Sequence, residues 1–193
     1  SGPAFSFVYP ENTEALEAAG AELVPFDPRT DERLPDRIDG LYAGGGFPEV
    51  FAGELAANTA LLADVAVAVR GGLATLAECG GLLWLARSLD GHAMAGVVPA
   101  DAVMTDRLSL GYRRARALAD TPVAPDGAEM RGHEFHYSRT DPPGDALHLE
   151  GRFGRGPSGF ATPRLLASYL HLHFGADPTP AHRFVATAAH RVR

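Results

Sequence analysis

Cys79 is the single cysteine of the chain, and its surroundings, Ala77-Glu78-Cys79-Gly80-Gly81-Leu82, suit a nucleophile. The apolar run Leu73 to Ala77 leads up to it, two glycines follow, and Leu82-Leu83-Trp84-Leu85-Ala86-Arg87 reads as a helix. This pattern predicts strand, sharp turn and helix, with the thiol on the turn. Glycines permit the tight backbone, and a helix start offers aligned N–H groups and positive potential. Both favour a thiolate, so the sequence predicts a thiol pKa below the ordinary value. A lone cysteine is more often an inert core residue. The glycines directly after it favour the reactive reading, because a core cysteine has no need of them.

A thiol nucleophile requires a base and an oxyanion site. Among the eight histidines, two groups stand out. In Ser168-Tyr169-Leu170-His171-Leu172-His173-Phe174, strand alternation would place Tyr169, His171 and His173 on one face and Leu170, Leu172 and Phe174 on the other. In Arg131-Gly132-His133-Glu134-Phe135-His136-Tyr137-Ser138, the density of polar and aromatic side chains suggests the wall of a site, with His133, Glu134 and His136 as supporting groups. Either segment could instead be an edge strand with incidental histidines, or a pair of loop anchors. His-x-His near His-Glu-x-His could also ligate a metal, but the spacing fits no specific zinc signature, and no metal is expected. Gly44-Gly45-Gly46-Phe47-Pro48-Glu49 lies between a short strand and a helix. With Gly80, the N–H groups of Gly45 and Gly46 are the candidate oxyanion donors.

The chain's composition limits the chemistry further. It has 193 residues, 46% of them hydrophobic and 21% charged, which suits one soluble α/β-sized domain. The net charge of −7 argues against a nucleic-acid or anionic-membrane partner. All 17 basic residues are arginine, so neither a Schiff-base lysine nor a P-loop lysine exists in this chain. One cysteine excludes an internal disulfide, and no apolar run reaches membrane-spanning length; a cytoplasmic location is expected.

The elements that must position these groups alternate through the first half. The pattern predicts a helix over Asn12–Ala19, a strand over Glu22–Phe26, a loop from Pro28 to Arg37 and a strand at Gly40–Ala43. Helical sequence then runs from Glu49 to Val69 with a break near Asn58, before the strand that precedes Cys79. Strand, glycine turn and helix, repeated, predict a mostly parallel central sheet flanked by helices. After Ser88 the runs Val97–Val98, Leu108–Leu118, Glu129–Tyr137, Leu147–Phe153 and Arg164–Phe174 read as antiparallel additions, closed by a helix over Pro178–His190.

Four motifs in register, Tyr42-Ala-Gly-Gly-Gly-Phe-Pro-Glu49, Ala77-Glu-Cys-Gly-Gly-Leu82, Arg131-Gly-His-Glu-Phe-His-Tyr-Ser138 and Ala167-Ser-Tyr-Leu-His-Leu-His-Phe174, resemble the glutamine amidotransferase domain of cobyrinic or hydrogenobyrinic acid a,c-diamide synthases. Ala4 to Asn12 looks like the opening of that domain, and the likeness runs to Phe174. It implies a class I (triad-type) glutamine amidotransferase-like fold over residues 1–193, Cys79 as nucleophile and His171 as activating histidine. The broader class carries His-x-Glu, whereas this chain has His173 at the third position, so the resemblance implies a Cys–His dyad. It further implies release of ammonia from glutamine, and an N-terminal ATP-dependent synthetase domain, absent from this chain, that uses ATP and Mg2+ to amidate the a and c carboxylates of a corrin. No cofactor is expected in this chain itself. Rival readings are a glutaminase serving cobyric acid synthase or a cell-wall amidotransferase, or a non-catalytic α/β binding module. The first strand of such a fold would lie before Ser1, so the isolated chain is expected to be marginally stable or to self-associate, for instance as a homodimer.

Overall fold

The computed structural model describes residues 1–152 and 154–190. Among them, two sheets share the work of holding the candidate site. The first has the strand order β1-β2-β10-β9, where β1 is Gly40–Ala43, β2 is Ala74–Glu78, β9 is Phe160–Thr162 and β10 is Leu165–Ser168. β2 runs parallel to β1 on one side and to β10 on the other, and β9 joins antiparallel. All five residues of β2 are buried, so it is the central strand and its sequence is apolar apart from Thr75 and Glu78. Among the described residues, no single helix is long and apolar enough to cross a membrane.

Helices pack around this sheet much as the sequence predicts. α1 (Pro10–Ala18) begins on Pro10, whose missing N–H costs nothing at the first helical position, and stops before Gly20 at φ +102°. α2 (Ala52–Ala57) and α3 (Thr59–Arg70) break at Asn58, whose side chain accepts a hydrogen bond from Leu61 N at 3.3 Å. α3 buries Leu61, Leu62, Val65, Ala66 and Val69 against the core. α4 (Gly80–Leu85) follows Cys79 directly, beginning earlier than Leu82, and every residue in it is buried. α5 (Thr179–Ala189) closes the chain and packs Phe184 toward Gly40 of β1.

Most strands after α4 form a second sheet rather than extending the first; only β9 and β10 return to the first. β3 (Ser88–Leu89), β4 (His92–Ala93), β5 (Asp101–Ala117), β6 (Glu129–Asp141), β7 (Leu147–Gly151), β8 (Gly154–Ser158) and β11 (His171–Leu172) belong to it, with β11 at the edge beside β6. The long β5–β6 ladder pairs Asp101 with Asp141 at one end and Arg116 with Glu129 at the other, interrupted by one register shift between Met104 and Ser109.

Three expectations change. Glu22–Phe26 forms no strand, because no neighbour offers its backbone a ladder; a cavity of about 1320 Å³ lined by Leu23, Val24, Leu41 and Tyr42 lies along it instead. Val97–Val98 is not a strand, and β5 starts at Asp101, well before Leu108. Arg164–Phe174 is not one strand but two, β10 in the first sheet and β11 in the second, joined by Tyr169 and Leu170. Of the Leu147–Phe153 run, Phe153 lies outside the described residues.

Candidate active site

Cys79 occupies the turn between β2 and α4 with φ +50° and ψ −98°, a region a non-glycine residue enters only under strong constraint. The constraint is visible on both sides. Cys79 N–H donates to Ser168 O at 2.8 Å, and Gly81 N–H donates to Gly44 O at 3.0 Å. A Cβ on Gly81 would collide with the Ala43 carbonyl, and one on Gly80 would crowd Gly46 N and Pro48 Cδ at 3.1 and 3.2 Å. The two glycines after the thiol thus let the elbow nest against the turn after β1. That part of the sequence reading is what the backbone does.

The electrostatics run the other way from the sequence expectation. Cys79 is 5% exposed, and burial pushes its thiol up to about 12. The Gly80 N–H pulls it down, while Glu49, Glu78 and Glu134 push it further up. Helix start and glycines were expected to dominate; desolvation outweighs them. The thiol donates a weak S–H···O contact to Phe135 O at 3.7 Å.

His171 is 3% exposed, and burial lowers its imidazole to about 4, with His133 and His136 adding to the effect and Glu134 opposing it. The ring is neutral near pH 7, and its Cε1 lies 2.5 Å from where a Cβ on Gly45 would stand. Phe7 meets it edge-on with ring centroids 5.0 Å apart. The Gly45-Gly46 turn therefore has His171 on one side and Gly80, next to the thiol, on the other. Cys79 and His171 make no hydrogen bond to each other in this state.

The three candidate oxyanion donors separate. Gly45 N–H donates to Phe7 O at 2.9 Å, while Phe7 N–H donates back to Gly45 O at 3.0 Å, so the Gly45 amide is already committed. Gly46 N–H has no hydrogen bond among the described residues, and Gly80 N–H turns toward the thiol. Gly46 is thus free, and Gly80 is engaged only by the sulfur beside it.

Tyr169, His171 and His173 do not share a face, because the strand expected to align them is broken. His173 lies beyond β11, its side chain 42% exposed, 3.8 Å from Glu11 and edge-on to Tyr9 with centroids 4.8 Å apart. His133 is the register partner of His171 across β6 and β11 and packs edge-on to Tyr112. Glu134 and His136 lie on the opposite face of β6. Glu134 accepts a 2.6 Å hydrogen bond from Arg113 Nε, with both side chains about one-tenth exposed. Burial alone would raise the Glu134 carboxyl, but His136 and Arg113 beside it more than offset this and hold it below its ordinary value.

His136 stacks flat on Tyr169, centroids 3.7 Å apart. Arg113 Nη1, His136 Nε2 and Tyr169 Oη are buried without a short hydrogen bond, though Glu134 Oε1 lies 3.7 Å from His136 Nε2 and Ser138 lies beside Tyr169; Arg113, His136 and Tyr169 all line a cavity of about 290 Å³. Buried polar atoms normally find partners, so this wall is shaped for something polar that enters it. Sequence reading missed Arg113 and grouped Tyr169 with His171 and His173, whereas its ring lies on His136. It also missed a buried trio behind the histidine strand, Glu78, Tyr42 and Asn12. Glu78 alone left a signal, as a carboxylate ending an otherwise apolar central strand. Among the described residues, no group of three or more His, Cys, Asp or Glu side chains is arranged to hold a metal ion.

A strained cysteine elbow on a parallel sheet, facing a glycine turn and a buried histidine, defines an α/β fold of the glutamine amidotransferase kind. A crystal structure of a glutamine amidotransferase superposes on it with a TM-score of 0.60, covering 96% of each chain at 18% identity, which speaks for the fold alone. The family model for the CobB/CobQ-like glutamine amidotransferase domain matches residues 1–179, and the chain belongs to that family. Similar curated proteins include the hydrogenobyrinate a,c-diamide synthases of Streptomyces coelicolor, 50% identical over 96% of this chain and 38% of the relative, and of Thermobifida fusca, 48% identical over 97% and 41%. The cobyrinate a,c-diamide synthase of Picrophilus torridus is 42% identical over 94% of this chain and 41% of its own length. The chain thus spans about two-fifths of the relatives it matches.

Proposed function

We propose that this chain hydrolyses glutamine to glutamate and ammonia, with Cys79 as nucleophile and His171 as its acid and base. The observation that carries this reading is the elbow: a buried thiol at φ +50° beside the free amide of Gly46 and the amide of Gly80 that points at the sulfur, with His171 across the same glycine turn. Cys79 gives its proton to His171 and its sulfur adds to the side-chain carboxamide carbon. The resulting oxyanion lies within reach of the Gly46 and Gly80 N–H groups. His171 returns the proton to the departing nitrogen, the C–N bond breaks and ammonia leaves a glutamyl thioester. Water, deprotonated by His171, then cleaves the thioester and restores the thiol. The buried polar atoms of Arg113, His136 and Tyr169 suit the charged amino-acid end of the substrate.

The resting pair is neutral, a thiol near 12 facing an imidazole near 4. Proton transfer therefore depends on a bound substrate whose developing oxyanion compensates the new charge. In the longer protein of which the relatives are examples, the ammonia would pass to an ATP- and Mg2+-dependent synthetase part. There it would amidate the a and c carboxylates of cobyrinate or hydrogenobyrinate; no lysine P-loop lies in this chain, so nucleotide chemistry would fall to that other part.

Glutamine turnover by the longer protein, wild type against Cys79→Ser, tests the reading. Expected is a loss of at least about 1000-fold in glutamine-driven activity, with ammonia-driven amidation retained. Glutamine hydrolysis that survives Cys79→Ser would overturn it.

A further inference from the structure

β11 is only two residues long and has a strand neighbour on one side, where His171 pairs with His133 and Leu172 with Gly132 of β6. In an antiparallel ladder the backbone groups of alternate residues point away from the partner. Those of Leu172 do, and the polar groups that meet them come from side chains. Glu78 Oε1 accepts from Leu172 N at 2.9 Å, and Asn12 Nδ2 donates to Leu172 O at 2.8 Å. Two residues on, Asn12 Oδ1 accepts from Phe174 N at 2.8 Å. Tyr42 closes the set: its hydroxyl accepts from Asn12 Nδ2 at 3.0 Å and donates to Glu78 Oε2 at 2.8 Å. Asn12 and Glu78 are 0% and 1% exposed, and both oxygens of Glu78 are engaged. The trio comes from α1, β1 and β2, three elements that otherwise meet the histidine segment nowhere in a ladder.

We propose that Glu78, braced by Tyr42 and Asn12, is a positioning residue for His171, acting as a side-chain substitute for the strand that β11 lacks on its outer side. The two backbone bonds to Leu172 fix the peptide next to the imidazole, and the bond to Phe174 prevents the segment after it from swinging. Because Glu78 directly precedes Cys79, the same backbone that sets the thiol also sets the carboxylate that holds the base. The separation of nucleophile and base is thereby tied to one residue pair, and a small misplacement of reacting groups reduces rate steeply. This role rests on the glutaminase reading for its catalytic consequence but not for its geometry.

The test compares Glu78→Ala, Glu78→Gln and Tyr42→Phe in the full-length protein, by steady-state kinetics and by hydrogen–deuterium exchange. Glu78→Ala is expected to reduce glutamine-driven kcat about 10- to 100-fold with little change in KM. The Leu172 and Phe174 amides should exchange at least about 10-fold faster while the β1–β2 and β5–β6 ladders keep their protection. Glu78→Gln, which keeps an acceptor for Leu172 N–H, should recover most of both. Tyr42→Phe removes only one brace and should lower kcat several-fold; it also serves if Glu78→Ala fails to fold. Wild-type kcat and protection in either variant overturn the proposal, as does exchange that quickens evenly through both sheets. A wild-type protein without glutamine turnover would defeat the glutaminase reading, while the exchange of Leu172 and Phe174 would still decide this one.

Discussion

Two polar clusters flank the strand that carries His171, and they are built to opposite standards. Behind β11, each hydrogen-bonding atom of Asn12, Tyr42 and Glu78 described above has a partner. Across β6, Arg113 Nη1, His136 Nε2 and Tyr169 Oη make no short hydrogen bond, although these atoms too are shut off from solvent. A satisfied cluster has nothing left to offer a ligand and can only hold geometry. An unsatisfied one bears a standing penalty of about 1–3 kcal/mol per group, which an entering polar molecule relieves. The first is framework, the second receptor.

The largest effect that could break this distinction is at the receptor's ion pair. Arg113→Ala leaves Glu134 buried without its guanidinium and should lower stability by about 3–5 kcal/mol in denaturant titrations, while raising KM for glutamine. Unchanged KM would mean that the wall receives nothing. Next is Gly45→Ala, which drives a methyl group to within 2.5 Å of His171 Cε1 and should reduce kcat about 100-fold, with the protein still folded by circular dichroism.

A third measurement sharpens the framework side by pH. Burial raises the Glu78 carboxyl from its ordinary value to about 7, so the folded state binds this proton more tightly than the unfolded chain does. Its contribution is full at pH below about 4.5 and is lost as pH rises through 7. His171 works in the opposite sense: with its folded value near 4, its contribution is full above about 6.5 and is lost as pH falls toward 4. The two offset each other in wild type between these limits. Stability of wild type relative to Glu78→Gln should therefore fall by about 2 kcal/mol between pH 5 and 7, and a flat difference would contradict the raised carboxyl. The smallest effect is expected of His173→Ala, whose half-open side chain should alter kcat by no more than about 2-fold.

The local backbone was written plainly in the sequence. Glycines after Cys79, the break at Asn58 and the apolar run of β2 each follow from chemistry within a few residues, and each appears where expected. What failed depended on distant partners. Glu22–Phe26 has strand composition but no strand beside it, and the His171 segment splits because Ser168 and Leu172 answer to different sheets. The thiol's pKa failed for the same reason: helix start and glycines are local, whereas desolvation is summed over everything that folds on top of Cys79. Arg113 stood in unremarkable surroundings until the pairing of β5 with β6 brought it to one cavity with Tyr169.

The two residues Tyr169 and Leu170 are the only chain between β10, whose end anchors the Cys79 amide, and β11, which carries His171. Cys79 and His171 thus ride on different sheets joined by a short buried link. A torque that tilts one sheet against the other alters the spacing of thiol and imidazole while leaving the ladder bonds of each sheet unbroken. The long β5–β6 hairpin is the natural handle for such a torque, since β6 is bonded to β11 and not to β10. Load applied far out on that hairpin reaches the imidazole through ladder bonds and the sulfur only through its weak contact with Phe135 O.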